Sequence, residues 1–474
     1  MNNRWKNKST VTSIIFLFIL CIAFIILKIP YLNLPFYWDE SWVYGPAVRL
    51  MSENGPSLLP DAVPVEYGRG HPLLFHFLGG CWVSVFGSSL FSMHCFALTI
   101  SMTLVISIFF IVKKLFNPVA AYCCSILICL QPIFFAQSVM VLPEVLLAVF
   151  ICCGIYHYIR KNYSWYFVFA SCAVLVKETA VLLPLSVLVF QTIVHFKKGI
   201  SFKPYIKYMF IWAAPVLFFA LTLLLNYWYY GWFVFPDHKE SITTDASLIW
   251  KNLTKGYGAF LFIYQARNVL SAVLLIILIY FLSKKEKISF TQPVVFIIFF
   301  TALFIIFSSF NFYSNRYMFL IIILFLILVS VALSSSKLPR VFPVLAILAV
   351  GFFSIREMQK DNHNDYYPGY CDHALAQQKM ISWCVQHNLQ HEKIISNFLA
   401  MHALINPKAG YVTNKTSFKN VSVVPYDDYN YLFVGSNETI YGLKDVIERG
   451  DFILIHTVQI HDAKCQLYKR RFSN

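Results

Sequence analysis

Apolar stretches long enough to cross a bilayer recur from residue 11 to residue 355, and they restrict the folds open to this chain more than any other feature. A hydrocarbon core about 30 Å thick takes roughly 20 apolar residues as helix, with about 17 to 25 the usual range. Eleven segments meet or approach that length: 11–29, 89–112, 118–136, 142–159, 164–178, 180–196, 206–228, 259–282, 291–310, 316–334 and 340–355. The fifth and the last are the shortest. Charged residues make up 13% of the chain, against roughly 25% in an average soluble protein. A soluble globule is thereby disfavoured, and the 46 Phe and 28 Tyr suit lipid-facing and headgroup-level positions.

A formal charge of +15 could point to nucleic acid, but the Lys and Arg sit in short clusters between apolar runs and form no basic face. The clusters instead report topology, because cytoplasmic loops are enriched in Lys and Arg. With the N-terminus inside, the inside loops carry Lys113-Lys114, Arg160-Lys161, Lys197-Lys198 with Lys203, Lys284-Lys285 with Lys287, and Lys337 with Arg340. The opposite loops hold Asp39-Glu40, Glu53 to Glu66, Glu144, Lys177-Glu178, Asp237 to Asp245, and Asn311 to Arg316. The apolar run after MNNRWKNKST is long and Lys28-Ile-Pro offers no small-residue cleavage site, so we read a retained first helix rather than a signal peptide.

From about Arg356 the chain turns polar, and an odd number of helices places this tail outside the cytoplasm. Lys393 to Asn397, Phe452 to Val458 and Cys465 to Lys469 are strand candidates, and Ala374 to Asn388 is a helix candidate. The fold class expected is an α-helical polytopic membrane protein with about eleven transmembrane helices and a small C-terminal extracytoplasmic α/β domain. The division falls at residues 1–355, including a first outside loop over 30–88, and 356–474. Nine of the 12 Cys lie in the apolar part and read as small core residues. Cys371, Cys384 and Cys465 allow one disulfide whose pairing the spacing does not give.

The densest chemistry lies in the first outside loop, Tyr37-Trp38-Asp39-Glu40-Ser41-Trp42-Val43-Tyr44-Gly45-Pro46-Ala47, continuing to Gly68-Arg69-Gly70-His71-Pro72. Two adjacent acids about ten residues after a membrane helix could sit over a pocket at the bilayer surface. There a carboxylate can take a proton from an acceptor or hold a divalent cation. For an isolated Asp-Glu a solvated loop is the more common outcome. Here, however, Glu144, Lys177-Glu178 and Arg316-Tyr317 also stand at outside junctions of the apolar segments. Ionisable groups near lipid need partners, water or a function, and their shared side points to one site.

The early Asp-Glu followed by aromatics and Ala, His71-Pro72, the acid after the third segment, Lys177, and Arg316-Tyr317 opening a late helix together resemble the GT-C glycosyltransferases. The subgroup most similar is that of protein O-mannosyltransferases and the lipid A aminoarabinose transferase, over roughly residues 30 to 335. The resemblance implies transfer of sugar from a polyprenyl-phosphate carrier to a lipid, glycan or protein acceptor, at a bacterial plasma membrane, with no nucleic-acid partner. It implies catalytic roles for Asp39, Glu40 and Glu144, and carrier-phosphate or substrate binding by Lys177, Arg316 and His71; Glu178, Tyr317 and Arg69, on the same side, are further binding candidates on charge and position. His71-Pro72-Leu73 lacks the double proline common in relatives, and Arg316-Tyr317-Met318-Phe319 lacks their Leu-Pro. No cofactor is required, because the carrier already holds an activated sugar; a divalent cation stays open.

Arg267 is read two ways: as a phosphate ligand within the outer leaflet, or as a cation snorkelling to the headgroups. His94 and His157 read as satisfied helix residues. Asp427-Asp428 and the scattered His of the tail form no metal pattern, and the sequons at Asn252, Asn414, Asn420 and Asn437 are of a kind that arises by chance. Two other classes compete with the enzyme. A secondary transporter or flippase should carry its polar site near the midplane, often at broken helices related by a repeat, and an inactive scaffold would use the outer charges for topology alone.

Overall fold

The structure, a computed structural model, describes residues 2–198, 202–285, 290–360, 362–423, 429–435 and 452–471. Lys287, Asp427, Asp428 and Asn437 lie outside these residues, as do the side chains of Lys198 and Lys203. Helix occupies each of the eleven expected segments, but not uniformly. Five helices are long and apolar enough to cross a membrane, at Thr10–Tyr31, Leu90–Leu115, Glu178–Lys197, Gln292–Ser309 and Asn315–Leu333. Two bent pairs bring the number to at most seven: Ile206–Ala213 with Val216–Tyr230, at 46°, and Ala246–Phe262 with Arg267–Ser283, at 80°. The other segments hold shorter helices, Pro118–Cys129, Glu144–Ile159, Tyr163–Val176 and Phe342–Met358. This is a multi-pass membrane protein.

Local chemistry explains where the helices begin. The Asn117 side chain accepts from the Ala120 amide at 2.8 Å while Pro118 takes the first helical position, where a missing N–H leaves nothing unsatisfied. The Ser89 hydroxyl caps Leu90–Leu115 in the same way. A break at Leu130-Gln131 turns the expected third span into two pieces, and Pro132 starts the second. The core of the bundle is the apolar set expected of the spans: Leu104, Ile108, Leu127, Ala148, Ile321 and Leu326 are all completely or almost completely buried.

The tail forms a five-stranded sheet: β1 Lys393–Ser396, β2 Asn420–Ser422, β3 Tyr431–Val434, β4 Phe452–Ile460 and β5 Ala463–Arg470. The order is β2-β1-β3-β5-β4, with β1 parallel to both β2 and β3 and the β4–β5 hairpin antiparallel. Helix Tyr370–Gln386 packs on β4 and β5 and carries Met380, Ile381 and Cys384 into a second, separate core. Cys371 and Cys384 are free thiols, so neither forms the disulfide the sequence allowed with Cys465, which is buried in the same core as Cys384. The sheet module rests on the first loop. The Phe36 amide donates to the Ala409 carbonyl at 3.0 Å, and Arg49 donates to the Lys408 carbonyl at 2.7 Å.

Candidate active site

At the end of the bundle that carries the sheet module, four elements converge on one ion cluster. Asp39 heads a single π-helical turn, Glu40–Tyr44, and the residue before it, Trp38, is held at φ +51°. A bulky side chain in the left-handed region is strained, and such strain persists only where the surroundings hold it. Two hydrogen bonds do so: Tyr37 Oη and Trp38 Nε1 both donate to the His363 carbonyl, at 2.8 and 2.9 Å. Glu144 stands in the first turn of its helix, Lys177 closes the helix Tyr163–Val176, and Arg316 lies in the 3₁₀ turn that opens Phe319–Leu333.

The guanidinium of Arg316 is the hub. Its Nη2 lies 2.5 Å from Asp39 Oδ2, its Nη1 2.6 Å from Asp365 Oδ2, and its Nε 3.2 Å from Glu144 Oε1. Lys177 Nζ meets the same Glu144 oxygen at 3.3 Å and sits 4.0 Å from the Tyr317 ring centroid. The other Asp39 oxygen accepts from Trp42 Nε1 at 3.1 Å. Burial alone would discourage charge on Asp39, but the guanidinium beside it and the Trp42 N–H hold its carboxyl below the ordinary value. Asp39 is the exposed face of the cluster: its side chain is 28% accessible, against 6% for Arg316.

A cavity of about 620 Å³ opens beside these groups. Asp39, Glu144, Lys177, His71 and Glu178 line it together with Phe219, Leu223, Phe304, Phe307 and Leu320 from membrane helices. His71 Nδ1 lies 2.8 Å from Glu178 Oε2. Gly70, at φ +71°, lets the chain pass under the Trp232 ring, where an added Cβ would come within 2.7 Å. Arg69 pairs with Asp237 at 3.0 Å and lies between the rings of Trp42 and Phe235. His238 covers His71, ring centroids 4.7 Å apart, and burial, reinforced by the neighbouring His71, pushes its imidazole down to about 4. Among the described residues no group of three or more His, Cys, Asp or Glu side chains is placed to hold a metal ion.

Of the residues singled out from the sequence, Asp39, Arg69, His71, Glu144, Lys177, Glu178 and Tyr317 all line this cavity, and Arg316 stands directly behind Asp39. Glu40 points elsewhere. Fully buried, it accepts from the Val141 amide at 2.7 Å and the Tyr37 amide at 3.3 Å, and faces His94 Nε2 at 3.2 Å. Its geometry is that of a clamp joining the first loop to the segment before Glu144. His94 is satisfied on its other nitrogen by the Leu32 carbonyl at 2.9 Å. Arg267 neither lines the cavity nor reaches the surface. It is completely buried and donates to the Phe260 carbonyl, Gln265 Oε1 and Gln131 Oε1, at 2.7, 3.0 and 3.3 Å. Asp365, Trp42 and His238 were not anticipated as site residues.

A bundle of membrane helices with an ion cluster beside a partly apolar cavity, and a small mixed sheet packed on the first loop, defines a class: a multi-pass membrane protein with a polar site and a separate sheet module. Residues 70–228 match the model of the dolichyl-phosphate-mannose-protein mannosyltransferase family. That stretch contains His71, Glu144, Lys177 and Glu178, and leaves Asp39 and Arg316 outside it. Among curated proteins no sequence matches the chain significantly. Among solved structures, ArnT from Cupriavidus metallidurans in the apo state is similar at a TM-score of 0.55 and 10% identity, over 97% of this chain and 98% of that one. The same ArnT bound to undecaprenyl phosphate aligns at a TM-score of 0.53 and 10% identity, over 99% and 98% of the two chains. The shared fold runs the length of both proteins.

Proposed function

We propose that this protein is a glycosyltransferase that moves a sugar from a polyprenyl-phosphate carrier to a lipid, glycan or protein acceptor. One observation carries the reading: carboxylates and cations line the same cavity as apolar side chains of membrane helices. A polyprenyl phosphate needs both surfaces, lipid-like for the chain and cationic for the phosphate. Lys177 and Arg69 are cations on the cavity wall, Arg69 already paired with Asp237, and Arg316 shares Glu144 with Lys177. A fixed positive charge there stabilises the phosphate as it takes up the electron pair of the breaking sugar–oxygen bond. Asp39, the most open acid of the Arg316 cluster, accepts the proton of the attacking acceptor group. Direct displacement inverts the anomeric carbon. The solved structure with undecaprenyl phosphate has the same fold, which supports a carrier of that kind here. A transporter would instead place its charges near the midplane of a repeat.

The basic loops support a cytoplasmic N-terminus with the active face outside, at a plasma membrane. Cysteine labelling of intact cells, with reactive native cysteines removed, should mark position 414 and spare 114, both exposed in the structure; labelling of 114 alone would reverse the scheme. The activity is tested with the purified full-length protein in nanodiscs, offered a panel of polyprenyl-phosphate monosaccharides. Wild type should release polyprenyl phosphate from at least one, and Asp39→Asn should lower that rate by about 10² or more, the usual scale for a general base, while leaving carrier binding intact. Near-normal turnover in Asp39→Asn would move the role to Glu144.

A further inference from the structure

We infer that Asp365 is a positioning residue: the segment between the last membrane helix and the sheet module supplies the acid that holds Arg316 with one nitrogen on Asp39, so the ion cluster is complete only when that segment is docked. The inference rests on the reading of this cluster as the transfer site.

Asp365 lies in residues 362–369, between helices Phe342–Met358 and Tyr370–Gln386. Its carboxylate reaches Arg316 Nη1 at 2.6 Å and is largely buried, yet it does not line the cavity. It therefore acts through Arg316. Three carboxylates around one guanidinium fix that group in three directions, and removing one direction frees it to rotate.

The same short segment also grips the other side of Asp39. The His363 carbonyl takes both donors of Tyr37 and Trp38, and Tyr37 stacks on Tyr370 with centroids 5.5 Å apart. Further along, Gln265 Nε2 donates to the Tyr366 carbonyl at 2.7 Å, and Phe260 meets the Tyr366 ring edge-on. The turn closes at Gly369, where a Cβ would stand 3.0 Å from the Asn362 carbonyl oxygen. One eight-residue stretch thus anchors the strained residue before Asp39 and the arginine bound to Asp39.

Burial pushes the Asp365 carboxyl up to about 6, with Arg316 opposing the rise and the nearby Asp39 and Glu144 charges adding to it. Tyr366, beside it, has its own phenol pushed up, chiefly by burial. A solvated Asp titrates near about 3.9, so between about pH 4 and pH 6 the docked state binds more protons than an undocked one. Docking is therefore tightest at the acid end of that window and weakens as pH rises through about 6.

The test uses full-length wild type, Asp365→Asn and Asp365→Ala in nanodiscs, read by hydrogen exchange over residues 37–44 and 313–318 after correction for intrinsic pH effects. Wild type should lose protection in both stretches from about pH 5 to about pH 7, and Asp365→Asn, whose amide oxygen still accepts from Nη1, should not. Asp365→Ala should exchange there about tenfold faster than wild type while the β4–β5 hairpin stays unchanged. In transfer, Asp365→Ala should lower kcat by about tenfold with donor KM within about threefold, and Asp365→Asn should restore most of kcat. Should Asp365→Ala fail to fold, the pH comparison of wild type with Asp365→Asn decides. Indistinguishable pH dependence of exchange in those two proteins would overturn the inference. Absence of transfer from wild type would instead sink the glycosyltransferase reading, with exchange still deciding the role of Asp365.

Discussion

Two arginines are buried beside the segment 362–369, and their surroundings differ in kind. Arg316 is held by three carboxylates and backs a cavity. Arg267 is completely buried with carbonyl and amide acceptors only, and its Nη2 has no hydrogen-bond partner among the described residues. Both stand near the start of an apolar helix, and from residue type and position alone they look alike. Carboxylates compensate the charge of Arg316, and that charge in turn holds the Asp39 carboxyl below its ordinary value. Neutral acceptors can only orient Arg267. It ties the sharp bend between Phe262 and Arg267, where Gln265 and Ala266 both have positive φ, at +56° and +62°, to Gln131 of the broken third span.

The comparison is sharpest in the hub itself. Arg316→Lys keeps a positive charge but loses the fork that reaches Asp39, Asp365 and Glu144 together, so transfer should fall by about 10² while the protein still folds. Purified Arg316→Lys with wild-type turnover would mean that the guanidinium geometry is irrelevant to the chemistry. A smaller effect is expected at Lys177, which holds one acid and faces the cavity. Lys177→Ala should weaken polyprenyl-phosphate binding by about tenfold, the loss of one charge-assisted contact, with acceptor affinity unchanged. If carrier binding to this variant matched wild type, Lys177 would be an interface anchor. The smallest change in transfer should come from Arg267→Met. It removes an uncompensated buried charge but leaves the Phe260 carbonyl and two amide oxygens without a donor, so stability should fall by about 1–3 kcal/mol and transfer by less than about threefold. Loss of carrier binding in Arg267→Met at an unchanged thermal midpoint would break the comparison and bring Arg267 into the site.

The contrast between these regions also marks where sequence reasoning stops. Asp39, Glu144, Lys177 and Arg316 were legible because ionisable groups at the ends of apolar runs need a reason to be there. Asp365 had no such signal: it sits among the Asp, Asn and His of residues 361–373, where one acid looks like any other. Glu40 stood next to Asp39 in the chain, and nothing local separates their roles. What turns Glu40 inward is His94 and the Val141 amide, 54 and 101 positions away. In the sheet module β1, β4 and β5 fall on the short β-like runs read from the sequence, whereas β2 and β3 carried no such run.

By itself the sequence determined the membrane class, the positions of the apolar helices and the side of the molecule on which the chemistry gathers. These follow from hydrophobic length and charge placement, which are properties of the chain taken a segment at a time. Only the tertiary structure decided that the third span is broken at Gln131, that the second loop acid is a clamp, and that one arginine serves three acids while another serves none. Each of those outcomes depends on which distant groups come within hydrogen-bond reach. A buried charge takes its role from those partners, and the order of residues along the chain does not name them.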